Sequence, residues 1–244
     1  SSKKLVIEEF LTGEEVSYFI AVDNKSFSFI GSAQDHKRVG ENETGPNTGG
    51  MGAYSPALII NKNLEKKIKK KIIKPTLLAL KRKGKPFKGF LYAGLMIKNN
   101  EPYLIEYNVR MGDPECQVIM PRLETDLIDI MLSCLENRIR KLRIKWKKNK
   151  CMTIVLCSKG YPNKYKKNII INNLNQIVLN KKSMIFHAGT DLINNKIVAT
   201  GGRVLNITST GNSFLNIRKT IFKIIKKLNW KHGFYRKDIG WRVI

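Results

Sequence analysis

The chain has 244 residues, room for one large domain or two small ones, and its 42% hydrophobic content is enough to bury a sizeable core. No apolar run approaches the roughly 20 residues that span a bilayer, and no basic, apolar leader opens the sequence, so the reading is a cytoplasmic protein with no membrane partner. The net charge of +26 would ordinarily suggest nucleic acid, but Lys, Asn and Ile are spread through every part of the chain; this reads as a compositional bias, with no nucleic acid implied and only small anions attracted.

The four cysteines, Cys116, Cys134, Cys151 and Cys157, form no C-x-x-C pair, which argues against a zinc site and for reduced thiols in the core. The sequence opens abruptly on Leu5 to Glu15 with no preceding helix, as a piece of something longer would. Val16 to Val22 alternates as a strand, Asp23-Asn-Lys25 turns, and Phe27 to Gly31 returns as a hairpin. Asp35, His36, Lys37 and Arg38 then gather at a strand end, where binding residues often sit, although a plain polar strand end fits equally well. His36 by itself says little.

Gly40 to Pro56 holds five glycines, Gly40, Gly45, Gly49, Gly50 and Gly52, with Pro46 and Pro56, and reads as a long loop that could place backbone N–H groups around an anion. It matches neither of the common nucleotide-binding glycine patterns. Leu64 to Leu80 reads as a helix with Leu64, Ile68, Ile72, Leu77 and Leu78 on one face and Pro75 as a kink. Its lysines are most simply a solvated face.

Phe90 to Ile97 and the stretch from Tyr103 read as an antiparallel pair joined by the five residues from Lys98 to Pro102. In that second strand Tyr103, Ile105, Tyr107 and Val109 alternate with Leu104, Glu106, Asn108 and Arg110, whose side chains would follow one another at about 7 Å. A carboxylate and an amide oxygen two residues apart suit Mg²⁺, which commonly takes one or two protein oxygens plus phosphates. An arginine just beyond could reach the same phosphates. An amphipathic edge strand with a solvated charged face is the alternative reading.

Thr125 is expected to cap a helix with Leu127, Ile130, Met131, Cys134 and Leu135 as its apolar stripe. Arg138 to Lys150 reads as a link to a second domain. Beyond it, Cys151 to Ser158, Met184 to Thr190 and Val198 to Ile207 read as strands, the last interrupted by Gly201-Gly202 as a bulge or close backbone contact. Ser213 opens a helix with Phe214, Ile217, Ile221, Ile224, Ile225 and Leu228 inward, and the chain closes through Phe234 to Ile244 as a strand and turn.

Several of these stretches together resemble the glycinamide ribonucleotide synthetase family, the phosphoribosylamine–glycine ligases of the ATP-grasp superfamily. They are Val6-Ile-Glu-Glu-Phe-Leu-x-Gly-Glu-Glu15, Gln34-Asp-His-Lys-Arg-Val-Gly40, Thr44 to Pro56, Gly89 to Ile97, Ile105-Glu-x-Asn-x-Arg-x-Gly-Asp-Pro-Glu115, Phe186-His-Ala-Gly-Thr190, Gly201-Gly-Arg-Val204 and Arg236-Lys-Asp-Ile-Gly-Trp-Arg242. Met111 departs from the aromatic residue usual before Gly-Asp-Pro-Glu.

The resemblance implies an α+β fold. An ATP-grasp C-terminal lobe, an antiparallel sheet with helices, would span 1–145 with the first lobe missing, and a small mixed α/β C-terminal domain would span 146–244. It implies ATP with Mg²⁺ or Mn²⁺ as cofactors, and glycine and 5-phosphoribosylamine as substrates. The first ATP-grasp lobe is expected to precede this stretch, either in a separate N-terminal half chain acting as partner or in a longer form of the same polypeptide, and the chain alone would not catalyse.

By the same resemblance Glu8, Glu9, Phe10 and Leu11 would receive the adenine, and Glu15 would hold the ribose. Glu106 and Asn108 would be the metal ligands, with Gly94 standing where many ATP-grasp enzymes have a further acid. Arg110, Asp35, Lys37 and Arg203 would be catalytic, and Arg38, Asn47, Thr48, Gly49, Gly50, Met51 and Asp113 would line the substrate side. The reaction implied is phosphorylation of the glycine carboxylate followed by attack of the phosphoribosylamine nitrogen. A non-catalytic remnant of the family, or another purine-pathway ATP-grasp ligase, is the alternative.

Overall fold

A computed structural model of the chain describes residue 5 and residues 7–244. Strand β1 (Glu14–Asp23) turns through Asn24 and Lys25 into β2 (Phe27–Asp35), followed by the short β3 (Arg38–Gly40), β4 (Thr44–Asn47) and β5 (Gly52–Ser55). Helix α1 (Lys62–Ile68) passes through a π-helical turn, Lys69–Ile73, into α2 (Lys74–Arg82). The long pair β6 (Lys88–Lys98) and β7 (Glu101–Asn108) comes next, then α3 (Cys116–Ile119) and α4 (Leu127–Leu135). The remainder holds β8 (Lys150–Ser158), β9 (Ile169–Ile170), β10 (Ser183–His187), β11 (Thr190–Ile193), β12 (Lys196–Ala199), β13 (Arg203–Gly211), α5 (Phe214–Leu228) and β14 (Gly233–Phe234).

Every strand pairing among the described residues is antiparallel. One sheet runs β10-β13-β8-β5-β2-β1-β6-β7, with β14 also on β8, so the two expected parts share a sheet. The joint is β5. Its residues Gly52 to Ser55 are buried and pair with β2 on one side and β8 on the other. The sequence pattern places this strand inside a long loop, because four residues between Met51 and Pro56 carry no periodicity of their own. The second part is antiparallel throughout, with α5 packed on its strands.

Alternation along β1 and β6 sends their side chains to two separate cores. Val16, Tyr18, Ile20, Val22, Leu91, Ala93 and Leu95 pack beneath Leu64, Ile68, Ile72 and Ile73. Phe19, Ala21 and Tyr92 face the other way, against Ile119, Ile130, Cys134 and Ile139. A third core places Ile154, Leu156, Leu205 and Ile207 against Phe214, Ile217, Ile221 and Leu228 of α5. Each fully buried aliphatic side chain contributes about 1.5–3 kcal/mol. The cysteines are free, and three of the four are buried.

Pro75 does not break its helix. The missing N–H and the ring of a proline disturb the preceding turn, and here that turn is the wider π form, so the axis continues into α2. The β6–β7 connection is tighter than the five residues expected: only Asn99 and Asn100 intervene, with φ of +52° and +57°. Asparagine tolerates the left-handed conformation that both turn positions need. At α4 the cap is Asp126, which accepts from Ile128 N, while Thr125 Oγ1 instead accepts from Lys145 N at 2.7 Å. The expected stripe of α4 is also divided: Ile130 and Cys134 are buried, but Leu127, Met131 and Leu135 are exposed.

Candidate active site

The site forms on the face of β1, β6 and β7 that carries Ser17, Gly94 and Glu106. A bulge sets the aim of β7. Leu104 pairs Leu95 and Glu106 pairs Gly94, so Ile105 is an extra residue in the ladder. Such a bulge shifts the alternation. Leu104 therefore does not share a face with Glu106 and Asn108 as strict alternation predicted. Glu106 and Asn108 do lie together, with Asn108 Nδ2 donating to Glu106 Oε1 at 3.1 Å.

Gly94 leaves the room Glu106 uses: a Cβ there would lie 3.2 Å from Glu106 Cγ. One carboxylate and one amide oxygen side by side fit a hard divalent cation that completes its shell with phosphate and water. For both oxygens to face such an ion, the Asn108 amide has to turn its oxygen inward. No cluster of three or more His, Cys, Asp or Glu side chains of metal-binding arrangement occurs among the described residues, so a metal there would rely on these two ligands and the phosphates. Arg110 lies past the end of β7, is exposed, and donates to Met111 O at 2.9 Å; its contacts do not join it to Glu106 and Asn108.

Around this pair the charges alternate in sign. Lys37 Nζ lies 3.1 Å from Glu15 Oε2. Burial opposes the charge on Lys37, but Glu15, then Asp35 and Glu106, outweigh it and hold the ammonium above the ordinary lysine range. Asp35, at the end of β2, behaves oppositely. Burial, reinforced by the nearby Glu115 carboxylate, pushes its carboxyl well above the usual range despite Lys37 and Arg203. Its Oδ1 is buried without a hydrogen-bond partner.

The Asn47–Met51 segment is zipped onto residues 36–38. Thr48 N and Oγ1 both donate to Lys37 O at 2.7 Å, and Met51 N donates to His36 O at 2.8 Å. Gly50, at φ +112°, must be glycine, since a Cβ would meet Pro114 Cδ at 2.4 Å and Asp35 Oδ1 at 2.7 Å. Gly49 N donates to Tyr161 OH at 3.0 Å. Arg203 reaches across from β13: Nη1 donates to Gly49 O at 2.5 Å and Asp113 O at 2.7 Å, and Nη2 donates to Asp113 Oδ2 at 2.9 Å. Arg203 and Asp113 thus brace each other and the glycine loop.

Met51 is fully buried in the third core, with its sulfur 3.7 Å from Cys157 Sγ, so it anchors the loop and cannot offer its side chain to a substrate. Arg38 is exposed and holds Gly45 O at 2.9 Å, and Asn47 is exposed opposite it on β4. Glu8, Glu9 and Phe10 are exposed and Leu11 half-buried, in a segment without regular structure. They stand apart from the bonded network.

Residues 1–116 match the family described as phosphoribosylglycinamide synthetase, ATP-grasp (A) domain, and residues 151–242 match phosphoribosylglycinamide synthetase, C domain. The chain belongs to the phosphoribosylglycinamide synthetase family. It is 45% identical over 241 residues to the phosphoribosylamine–glycine ligase of Brucella melitensis, covering 99% of this chain and 56% of that protein. It is 46% identical over 245 residues to the chloroplastic ligase of Arabidopsis thaliana, covering 99% and 46%. The crystal structure of the Thermotoga maritima ligase superposes with a TM-score of 0.84 at 32% identity, over 95% of this chain and 56% of that one. Biotin carboxylase from Campylobacter jejuni, at 11% identity and a TM-score of 0.64, shares the ATP-grasp fold. The chain spans about half the length of the curated relatives it matches.

This synthetase-family site also contains residues that the sequence reading did not single out. Glu115 is buried and accepts from Ser17 Oγ at 2.8 Å, and the Tyr92 hydroxyl lies 3.1 Å from the same Ser17 oxygen. Glu115 closes the Gly-Asp-Pro-Glu motif, and Ser17 is the lone hydroxyl between Val16 and Tyr18; each was a visible signal. Tyr161 had none, since its partner Gly49 is 112 positions away.

Proposed function

We propose that this chain is the C-terminal portion of a ligase that joins glycine to 5-phosphoribosylamine, through glycyl phosphate, at the expense of ATP. Residues 1–145 would form the second lobe of the ATP-grasp domain and 146–244 the C-terminal domain. The observation that carries this reading is the adjacent Glu106 and Asn108 beside Lys37, in a chain that matches the family over both its parts.

Glu106 and Asn108 would hold the cation, and bound Mg²⁺ or Mn²⁺ would supply charge neutralisation at the phosphate oxygens. Lys37 adds a fixed positive charge to the same region. Arg110, with only a neighbouring carbonyl as its partner in the network described, can turn toward a transferring phosphoryl group. Arg203 keeps the Gly49 and Asp113 backbones in one arrangement, so the substrate loop meets the glycine carboxylate already organised. Asp35 and the remaining loop residues, Arg38, Asn47, Thr48 and Gly50, would line the substrate side, with Glu15 at the ribose and Glu8–Leu11 at the adenine. A closed crevice would protect the acyl phosphate from water. The remaining half of the enzyme would be supplied by the rest of the polypeptide or a partner chain, in the cytoplasm.

The test is Glu106→Ala in the enzyme assembled with that remaining half. Ligation should fall by about 100-fold or more, with the urea midpoint unchanged because Glu106 is exposed. Turnover equal to the parent would refute the metal-ligand assignment.

A further inference from the structure

Helix α4 is apolar on two sides. Ile130 and Cys134 point into the core beneath β1 and β6. On the outer side Ile128 is 63% exposed, Met131 48%, Leu132 41% and Leu135 64%. Those four positions follow the i, i+3, i+4, i+7 spacing of a single helical stripe. Asp129 is the one charged residue within the helix. The helix is well formed all the same, capped by Asp126 and tied at its end by Lys88 Nζ donating to Leu135 O at 2.9 Å. A helix that is hydrophobic all round belongs in an interior, and an apolar face of this kind marks an interaction surface.

We propose that the outer face of α4 is the docking surface for the portion of the ligase that the relatives carry and this chain does not match. The Brucella melitensis ligase is matched over only 56% of its length, so a domain-sized remainder exists to cover the helix. Helix α4 packs on the same face of β1 and β6 that presents Ser17, Gly94 and Glu106 to the site, so a body closing over that face reaches both. A second copy fits less well. Nine residues give a helix about 14 Å long, and a stripe of four side chains on it falls well short of the roughly 800 Å² per partner of a stable interface. The inference rests on the reading of the chain as part of a ligase.

The experiment pairs this chain with the unmatched portion of the Brucella melitensis ligase, produced as a separate polypeptide, and measures association by calorimetry and sedimentation. The parent chain should form a one-to-one complex. The double variant Ile128→Lys/Leu135→Lys should bind at least 10-fold more weakly while keeping the parent's circular dichroism and melting curve. Lys223→Glu on α5 should bind like the parent. No complex with the parent, undiminished binding by the double variant, or a parent homodimer that the variant abolishes would each overturn the proposal. Ligation is assayed in the same complex. A complex that depends on α4 but does not ligate leaves the docking surface standing and removes the proposed activity; ligation with undiminished binding by the variant does the reverse.

Discussion

His36 carries more structure than a lone histidine in a sequence suggests. Its ring is buried between two backbone groups: Gly240 N donates to Nε2 at 3.2 Å, and Nδ1 lies 3.2 Å from Gly52 O. Only the neutral ring protonated on Nδ1 satisfies both. Burial, then the Arg236 guanidinium, pushes the pKa down to about 4 from 6.5. Between those values the unfolded chain takes up a proton that the folded chain refuses. Stability from this group is therefore complete above pH 6.5 and is lost as pH falls toward 4, by at most about 3 kcal/mol, since each unit is worth about 1.4. Asp35, with its raised pKa, works in the opposite direction, so the comparison has to be with a variant. His36→Gln keeps an acceptor for Gly240 and does not titrate. Urea unfolding at steps from pH 7 to 4 should show the parent losing stability relative to that variant; parallel curves would show that the histidine is not the sensor. Arg236 teaches the same lesson about legibility. It is 1% exposed and bonded to nearby Asp238 and to Glu43 and Arg38 O, and the last two, almost two hundred positions away, leave no local trace.

At the scale of elements, the β6–β7 hairpin was readable because alternation and a turn are local properties. The bulge at Ile105 was not, since it depends on which β6 residue each position meets across the ladder. The π turn before α2 has the same origin: Pro75 announces a disturbance, and packing of Ile72 and Ile73 into the core decides that the helix continues. Lys67 and Lys71 both pair with Glu101 at the hairpin end. The turn itself makes a testable point. Asn99 and Asn100 both hold positive φ, which glycine adopts without strain and β-branched residues resist. Asn100→Gly should raise the unfolding free energy by less than about 1 kcal/mol, the relief of left-handed strain outweighing the freedom that glycine adds to the unfolded chain. Asn100→Val should lower it by about 1–2 kcal/mol. Denaturant midpoints of the two variants, moving in opposite directions from the parent, are the readout; a shift of the same sign in both would contradict the turn geometry.

Across the whole molecule, the change of composition after Arg138 suggested a link between two domains, and the family matches do fall on either side of it. The linking stretch is itself packed, with Ile139 buried and Leu142, Ile144 and Trp146 against the second core. The sheet then crosses the junction through β5, and three long-range ties reinforce it: Arg203 to Gly49 and Asp113, Arg236 to Glu43, and Gly240 to His36. A cut at residue 149 would strip β5 of β8 and leave its edge exposed to other chains. It would also leave Glu43 without its buried cation and empty the third core around Met51 and Tyr54. The two parts should therefore unfold together. A calorimetric scan of the intact chain should give one transition whose calorimetric and van't Hoff enthalpies agree. Residues 1–149 expressed alone should aggregate or melt without a cooperative step. Two resolved transitions, or a cooperatively folded 1–149, would show that the shared sheet does not couple the parts.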